Sequence, residues 1–234
     1  MARSPIADVV FPRRGRRAVV ICGGPPPAPD QVAAWLADGD LLLCTDGAGR
    51  PYDRLPRLPD AVVGDGDSLP PGALPPAVRL LHDPDQETSD SEKALRHAAA
   101  AGCADAVLLG AVGGRFDHAW YNGDLLLRLR PLLPSALADP EGVTVALAAG
   151  ESVAWDLAAG TLFSLLPQAG PSRVTAAGAL YPLDDAVLAP GGLVSLSNRV
   201  TRPPLRLAVH DGGVLVRVSQ PADTTAESAT ESAP

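Results

Sequence analysis

The chain has 234 residues, 46% of them hydrophobic, and a formal net charge of -8, which is ample for one large domain or two modest ones with a sizeable core. The acidic balance argues against a general nucleic-acid or membrane-surface binder, because such proteins concentrate lysine and arginine to neutralise phosphate. No stretch approaches the ~20 apolar residues of a membrane span and no continuous apolar leader opens the chain, so a cytoplasmic protein without nucleic-acid or membrane partners is expected.

In chain order, the basic run Arg13-Arg14-Gly15-Arg16-Arg17 closes a segment, residues 1–17, that reads as a flexible, solvated leader. Short apolar runs follow at Ala18 to Cys22, Leu41 to Cys44, Ala61 to Val63, Val78 to Leu81, Ala106 to Leu109 and Val143 to Leu147. They alternate with longer segments able to form helices, a pattern that predicts a mostly parallel, Rossmann-like sheet with flanking helices over residues 18–141. Each of the first five runs breaks into glycine or polar residues at its carboxyl end, where ligands bind in open α/β sheets. Cys22, Cys44 and Cys103 show no metal-like spacing and are expected to be reduced and buried.

Two helices are clear. Ser89-Asp90-Ser91-Glu92 has capping-box spacing ahead of Lys93 to Ala98, with Gly102 able to end the helix. Asp117 to Arg130 shows helical apolar spacing and is stopped by Pro131. After Glu141 short runs separated by glycine and proline (Val153 to Leu157, Leu162 to Leu166, Val194 to Leu196, Leu205 to Val209, Val214 to Val218) predict a small antiparallel β-sandwich domain over residues 142–219. Asp211-Gly212-Gly213 reads as a hairpin turn between the last two runs. Residues 220–234 lack any apolar period and are expected to be disordered.

The residues that carry chemistry gather at the strand ends. In Gly64-Asp65-Gly66-Asp67-Ser68 the two aspartates are two apart, so on an extended chain their carboxylates converge. Two like charges ~4 Å apart cost about 4 kcal/mol at an effective dielectric of ~20, which calls for a proton, a cationic partner or a metal. All-oxygen ligands favour magnesium, manganese or calcium over zinc. A turn using aspartate and glycine only for backbone geometry is the competing reading. Asp90 either complements the helix dipole or joins the acidic site, where free N–H groups at the same helix end, Gln86 and Lys93 offer donors to a phosphate. Gly113-Gly114-Arg115 and Asp117 fit a tight connection with an N-cap, which leaves Arg115 and His118 unexplained; arginine suits bidentate phosphate contact.

Four of these segments, in order, resemble the thiamine pyrophosphokinases: Thr45-Asp46-Gly47-Ala48, Gly64 to Ser68, Asp85-Gln86-Glu87-Thr88-Ser89-Asp90-Ser91-Glu92-Lys93-Ala94, and Gly113-Gly114-Arg115-Phe116-Asp117-His118. The resemblance implies an α/β nucleotide-binding domain followed by a β-sandwich, and transfer of pyrophosphate from ATP to the primary alcohol of thiamine. It implies Mg2+ held by Asp65, Asp67 and Asp90, which also serve catalysis, with Asp46, Gln86, Ser89, Lys93, Arg115, Asp117 and His118 at the nucleotide. Ser195, Ser197 and Asn198 match the family's Ser-Asn turn near thiamine, although this chain continues with Arg199 where the family commonly has glutamate. A homodimer with active sites shared between subunits is also implied. Two alternatives stay open: a pyrophosphokinase for another primary alcohol such as a hydroxymethylpterin, and a non-catalytic nucleotide or thiamine sensor. No P-loop, nucleophile elbow or zinc spacing is present.

Overall fold

A computed structural model of the protein describes residues 5–48, 52–69 and 72–219. The expected tail, and residues 1–4 of the leader, lie outside them. Six strands form the parallel part: β1 (Arg17–Ile21), β2 (Leu41–Thr45), β3 (Ala61–Gly64), β4 (Arg79–His82), β5 (Asp105–Leu109) and β6 (Ser135–Asp139). Every residue of β1, β2, β3 and β5 is buried, as expected of parallel strands covered on both faces. Four helices accompany them, α1 (Pro5–Val10), α2 (Pro29–Trp35), α3 (Asp90–Ala100) and α4 (Phe116–Arg128).

The remaining strands are β7 (Gly142–Ala148), β8 (Ser152–Trp155), β9 (Leu162–Pro167), β10 (Ser172–Ala177), β11 (Leu183–Leu188), β12 (Ser195–Arg199), β13 (Leu205–Asp211) and β14 (Gly213–Ser219). They divide between two sheets. One has ten strands in the order β12-β9-β14-β7-β6-β5-β1-β2-β3-β4, and the other has four, β11-β10-β13-β8. The fold class expected from the sequence is therefore found, with one feature the run spacing does not reveal: the sandwich is built partly from the parallel sheet's own continuation. The 141/142 boundary falls inside the β6–β7 turn, where Asp139 Oδ1 accepts from the N–H groups of Glu141 and Gly142 at 2.8 and 3.1 Å. Val143, Val145, Phe163, Leu165, Val214 and Val216 then pack against Val174, Leu205, Leu207 and Val209 across the sandwich.

Three expectations are corrected. The Asp211-Gly212-Gly213 turn is not a hairpin, because β13 pairs with β10 and β8 whereas β14 pairs with β7 and β9. The turn passes the chain from one sheet to the other, and Gly212, at φ 74°, sits where a Cβ would lie 2.6 Å from Pro171 O. The leader is solvated only in part over its described length: Arg13, Arg14 and Arg16 are exposed, but the segment is docked on the fold. Ile6, Ala7, Val10 and Phe11 are buried, and Arg17 is fully buried, its guanidinium paired with Asp105 and lying 5.2 and 5.3 Å from the Phe11 and Trp35 ring centres. Arg13 reaches Asp40 at 2.7 Å, and Arg16 donates to Gly39 O and Ala101 O at 2.9 Å. Of the arginine run only Arg17 turns inward, because the fold supplies the buried Asp105 carboxylate opposite it. The capping box is half formed: Ser89 Oγ accepts from the Glu92 N–H at 3.3 Å, but the Glu92 carboxylate points elsewhere.

Candidate active site

The carboxyl ends of β1, β2, β3 and β5 converge on one edge of the sheet. The chain runs outward from β1 through β2, β3 and β4, then returns to place β5 on the other side of β1. That reversal makes the β1/β5 junction the switch point where the following loops part into a crevice. Glycine is required here by close approach. A Cβ on Gly23 would lie 2.9 Å from Gly47 O, and one on Gly24 only 2.3 Å from Gly110 O, whose carbonyl accepts the Gly24 N–H at 2.9 Å.

The acidic centre is assembled by the register of β2 beside β3, where Thr45 pairs with Val63. Asp46 follows β2 and is buried. Its Oδ2 accepts the Gly66 N–H at 2.9 Å, and a Cβ on Gly64 would lie 2.5 Å from its Cγ. Asp65 and Asp67 follow β3. Asp65 accepts from the Asp67 N–H at 3.1 Å and from Gln86 Nε2 at 2.7 Å, while Ser68 Oγ donates to Asp67 at 3.0 Å. One carboxylate oxygen from each of Asp46, Asp65 and Asp67 lies within 4.8 Å of the others. An all-carboxylate set of this kind suits a hard divalent cation.

Electrostatics record the crowding. Burial, and then the adjoining Asp90 carboxyl, push the Asp46 carboxyl up to about 6 against the opposing Gly66 N–H. Asp65 is held down at about 2, mainly by Gln86. Asp90 opens α3 and faces both Asp46 and the buried Lys93, whose Nζ donates to Asp83 O at 3.0 Å and lies 3.4 Å from Asp90 Oδ1. Lys93 is thus an inward cation rather than a solvated helix lysine. Among the described residues the metal-spaced trio contains Asp46, with Asp90 beside it. The resemblance assigns Asp46 to the nucleotide and Asp90 to the metal; the proximity of Asp46 to Asp65 and Asp67 is set by strand register, which motif spacing does not carry.

On the other side of the crevice, Gly113 and Gly114 adopt φ 83° and 69°, and lead into α4. Arg115 Nη2 pairs with Asp117 Oδ2 at 2.5 Å, with both side chains largely exposed. Asp117 also accepts from the His118 N–H at 3.0 Å and is lowered to about 2, chiefly by Arg115. His118 stands exposed beside them. Ser89 spends its hydroxyl oxygen on capping α3.

Ser195, Ser197 and Asn198 lie on β12, far from these residues in the same sheet. Asn198 is buried and its amide is fully engaged: Nδ2 donates to Tyr181 O at 2.8 Å and Ser195 Oγ at 3.2 Å, and Oδ1 accepts from the Tyr181 and Arg199 N–H groups at 3.1 and 2.8 Å. Ser197 is exposed, at φ 50°. Asn198 therefore shapes the turn that presents Ser197 and has no amide group left over for a ligand.

Two family models match this chain. Thiamin pyrophosphokinase, catalytic domain, matches residues 32–133, and Thiamin pyrophosphokinase, vitamin B1 binding domain, matches residues 153–210. The chain belongs to the thiamine pyrophosphokinase family. Thiamine pyrophosphokinase 1 of Oryza sativa subsp. japonica is 27% identical, over 78% of this chain and 86% of that protein. The fold is shared with the thiamine pyrophosphokinase of Bacillus subtilis, at TM-score 0.76 and 19% identity over 88% of this chain and 99% of that one. It is shared likewise with the yeast thiamin pyrophosphokinase, at TM-score 0.75 and 18% identity over 92% and 89% of the two chains. As a thiamine pyrophosphokinase, the chain places Asp46, Asp65, Asp67, Asp90, Lys93 and Arg115 within the catalytic match and β12 within the vitamin B1 binding match.

Proposed function

We propose that Asp46, Asp65 and Asp67 hold magnesium while the chain transfers pyrophosphate from ATP to the primary alcohol of thiamine, giving thiamine diphosphate and AMP. The thiamine pyrophosphokinase activity follows from the family. The observation that carries the metal-dependent reading is the carboxylate trio within 4.8 Å. Bound there, magnesium would supply Lewis-acid neutralisation of phosphate oxygens.

The chain's own residues do the rest by placement. Gln86 and the Asp67 N–H fix the Asp65 carboxylate. Lys93, anchored on Asp83 O beside Asp90, sets a buried positive charge at the start of α3, where free N–H groups also face an anion. Across the crevice Arg115 is exposed, and a phosphate can take the place of Asp117 as its bidentate partner, with His118 adjacent. The alcohol attacks the β-phosphorus, AMP leaves with the bond electrons, and the alcohol proton passes to one of the carboxylates.

The strand order supports a shared site. β3 is ninth and β12 first in the ten-stranded sheet, eight intervals apart, or roughly 38 Å across a flat sheet at ~4.8 Å per strand. Twist shortens that span without bringing the two ends together. That separation supports Ser195 and Ser197 meeting the acidic centre of a second copy, which makes a homodimer part of this reading. So is a cytoplasmic setting, supported by three free, buried cysteines. No helix among the described residues is long and apolar enough to cross a membrane.

The test is AMP release from MgATP with and without thiamine, with mass analysis of the product. Thiamine-dependent AMP together with thiamine diphosphate is expected. AMP formed only with hydroxymethylpterin would move the acceptor to the alternative raised by the exposed Arg199, and ligand binding without any AMP would return the sensor reading.

A further inference from the structure

The two helices that begin at the crevice rest on different parts of the sheet. α3 packs on β1, β2, β3 and β5, whereas α4 packs on β6, β7 and β14. Their starts carry opposite walls of the site, Asp90 and Lys93 on one and Arg115 and Asp117 on the other. What spans them is a buried carboxylate, Glu92, whose side chain is fully inaccessible.

Glu92 accepts from three side chains. Arg96, on its own helix, donates through Nε and Nη2 at 3.0 and 2.7 Å. From α4, Arg128 donates through Nη1 and Nη2 at 3.0 and 2.6 Å, and the Tyr121 hydroxyl at 2.7 Å. Arg128 also lies 5.5 Å from the Tyr121 ring centre and reaches Asp124 at 3.3 Å, so the α4 side of the bridge is itself braced. Charge-assisted bonds to a planar carboxylate and guanidinium constrain direction as well as distance. Glu92 adjoins Lys93; on α4 the bridge is held at Tyr121, six residues beyond Arg115, and at Arg128, the helix's last residue, so it fixes the line of α4 whose start carries Arg115.

We infer that Glu92, with Tyr121 and Arg128, is a positioning device that sets the width of the nucleotide crevice, holding Lys93 and Arg115 at the separation one polyphosphate chain requires. This rests on the proposed nucleotide site. A device of that kind acts first on the nucleotide, because the side chains carried at the two helix starts, Lys93 and Arg115, are the cations assigned to phosphate and neither lies on β12. Small misplacements of charge-bearing groups cost rate and affinity steeply when catalysis is placement.

The test uses the full chain, with Tyr121→Phe and Glu92→Gln. Calorimetric Kd for MgATP without acceptor, KM for MgATP and for thiamine, kcat, and Tm are measured together. Tyr121→Phe is expected to weaken MgATP about 3-fold to 5-fold in both Kd and KM, with thiamine KM within twofold and Tm little changed. Glu92→Gln is expected to weaken it at least about 10-fold with the same split, and Glu92→Asp to recover less than half of the loss, since the shorter side chain cannot span to α4. Unchanged MgATP affinity in a folded Tyr121→Phe protein overturns the proposal, as does a loss that is equal for both substrates. Because the Kd is read without thiamine, a wrong acceptor assignment leaves this result intact; if Glu92→Gln does not fold, Tyr121→Phe decides.

Discussion

At the scale of single residues, the acidic centre divides its members by what each can lose. Asp67 is the most exposed of the trio, and its carboxylate accepts from the Ser68 hydroxyl beside Asp65. Asp67→Asn therefore removes a ligand charge with little cost to folding, and kcat is expected to fall at least about 100-fold with Tm within a few degrees. A chelator should have the same effect on the parent protein, reversed by magnesium or manganese and not by zinc, and retention of turnover in chelator would remove the metal from the reaction. Gly64 is a different kind of position: Gly64→Ala drives a methyl into the Asp46 carboxylate, 2.5 Å from Cγ. It should cost about 1–3 kcal/mol of stability and lower magnesium affinity, both measurable by urea unfolding with and without the ion. Asp65, Asp67 and Lys93 were legible because motif spacing carries them. The grouping of Asp46 with the pair was not, since it depends on which strand lies beside β3.

At the scale of elements, α3 shows why a sequence pattern and its use can differ. Ser89 and Glu92 have the spacing of a reciprocal cap, yet the carboxylate turns to Arg96 on its own helix and to Tyr121 and Arg128 on α4, which offer stronger partners than one backbone N–H. Those partners hold Glu92 well down, at about 2, from an ordinary 4.5, against the cost of its burial. The folded-state value is depressed, so the stability it confers is present above pH 4.5 and lost as pH falls toward 2. Allowing for the partly exposed arginines, the contribution is on the order of 2 kcal/mol. Acid unfolding of Glu92→Gln should accordingly start from lower stability at pH 7 and slope less between pH 4.5 and 2 than the parent. β12 depends in the same way on Asn198, whose amide stitches it to Tyr181, next to the Leu180 N–H that donates to Arg199 O. Asn198→Ala leaves the part-buried N–H and C=O of Tyr181 and the N–H of Arg199 without their partner and should lower stability by about 1–2 kcal/mol, read by urea unfolding, while raising the KM for thiamine. Strands β10 and β11 escaped the sequence reading because β11 carries Asp184 and Asp185, and β6 because Ser135-Ala-Leu-Ala-Asp has no β-branched residue.

At the scale of the whole molecule, the order of local elements was readable and their long-range assembly was not. The alternating apolar runs mark five of the six parallel strands and miss β6, while the sixth run, Val143 to Leu147, is the antiparallel β7. That β7, β9, β12 and β14 extend the same sheet, and that Asp211-Gly212-Gly213 changes sheets, follows from pairings between distant segments that no local window contains. The arginine run shows the same limit, since its partners Asp40 and Asp105 stand about 25 and 90 residues away.

The breadth of the ten-stranded sheet has a genetic consequence. If each reaction centre takes its acidic half from one chain and its β12 half from another, two different defects need not reside in the same centre. Asp67→Asn and a β12 variant such as Ser197→Tyr, each inert by itself, should restore one another after unfolding and refolding together. Random pairing yields hybrids in half of the dimers, and each hybrid has one intact centre and one doubly damaged one, so activity should recover to about a quarter of the parent's. Two copies of the gene, each carrying one of these lesions, would then support growth where neither does alone. A mixture that stays inert under conditions where the parent refolds would confine the whole reaction to a single chain.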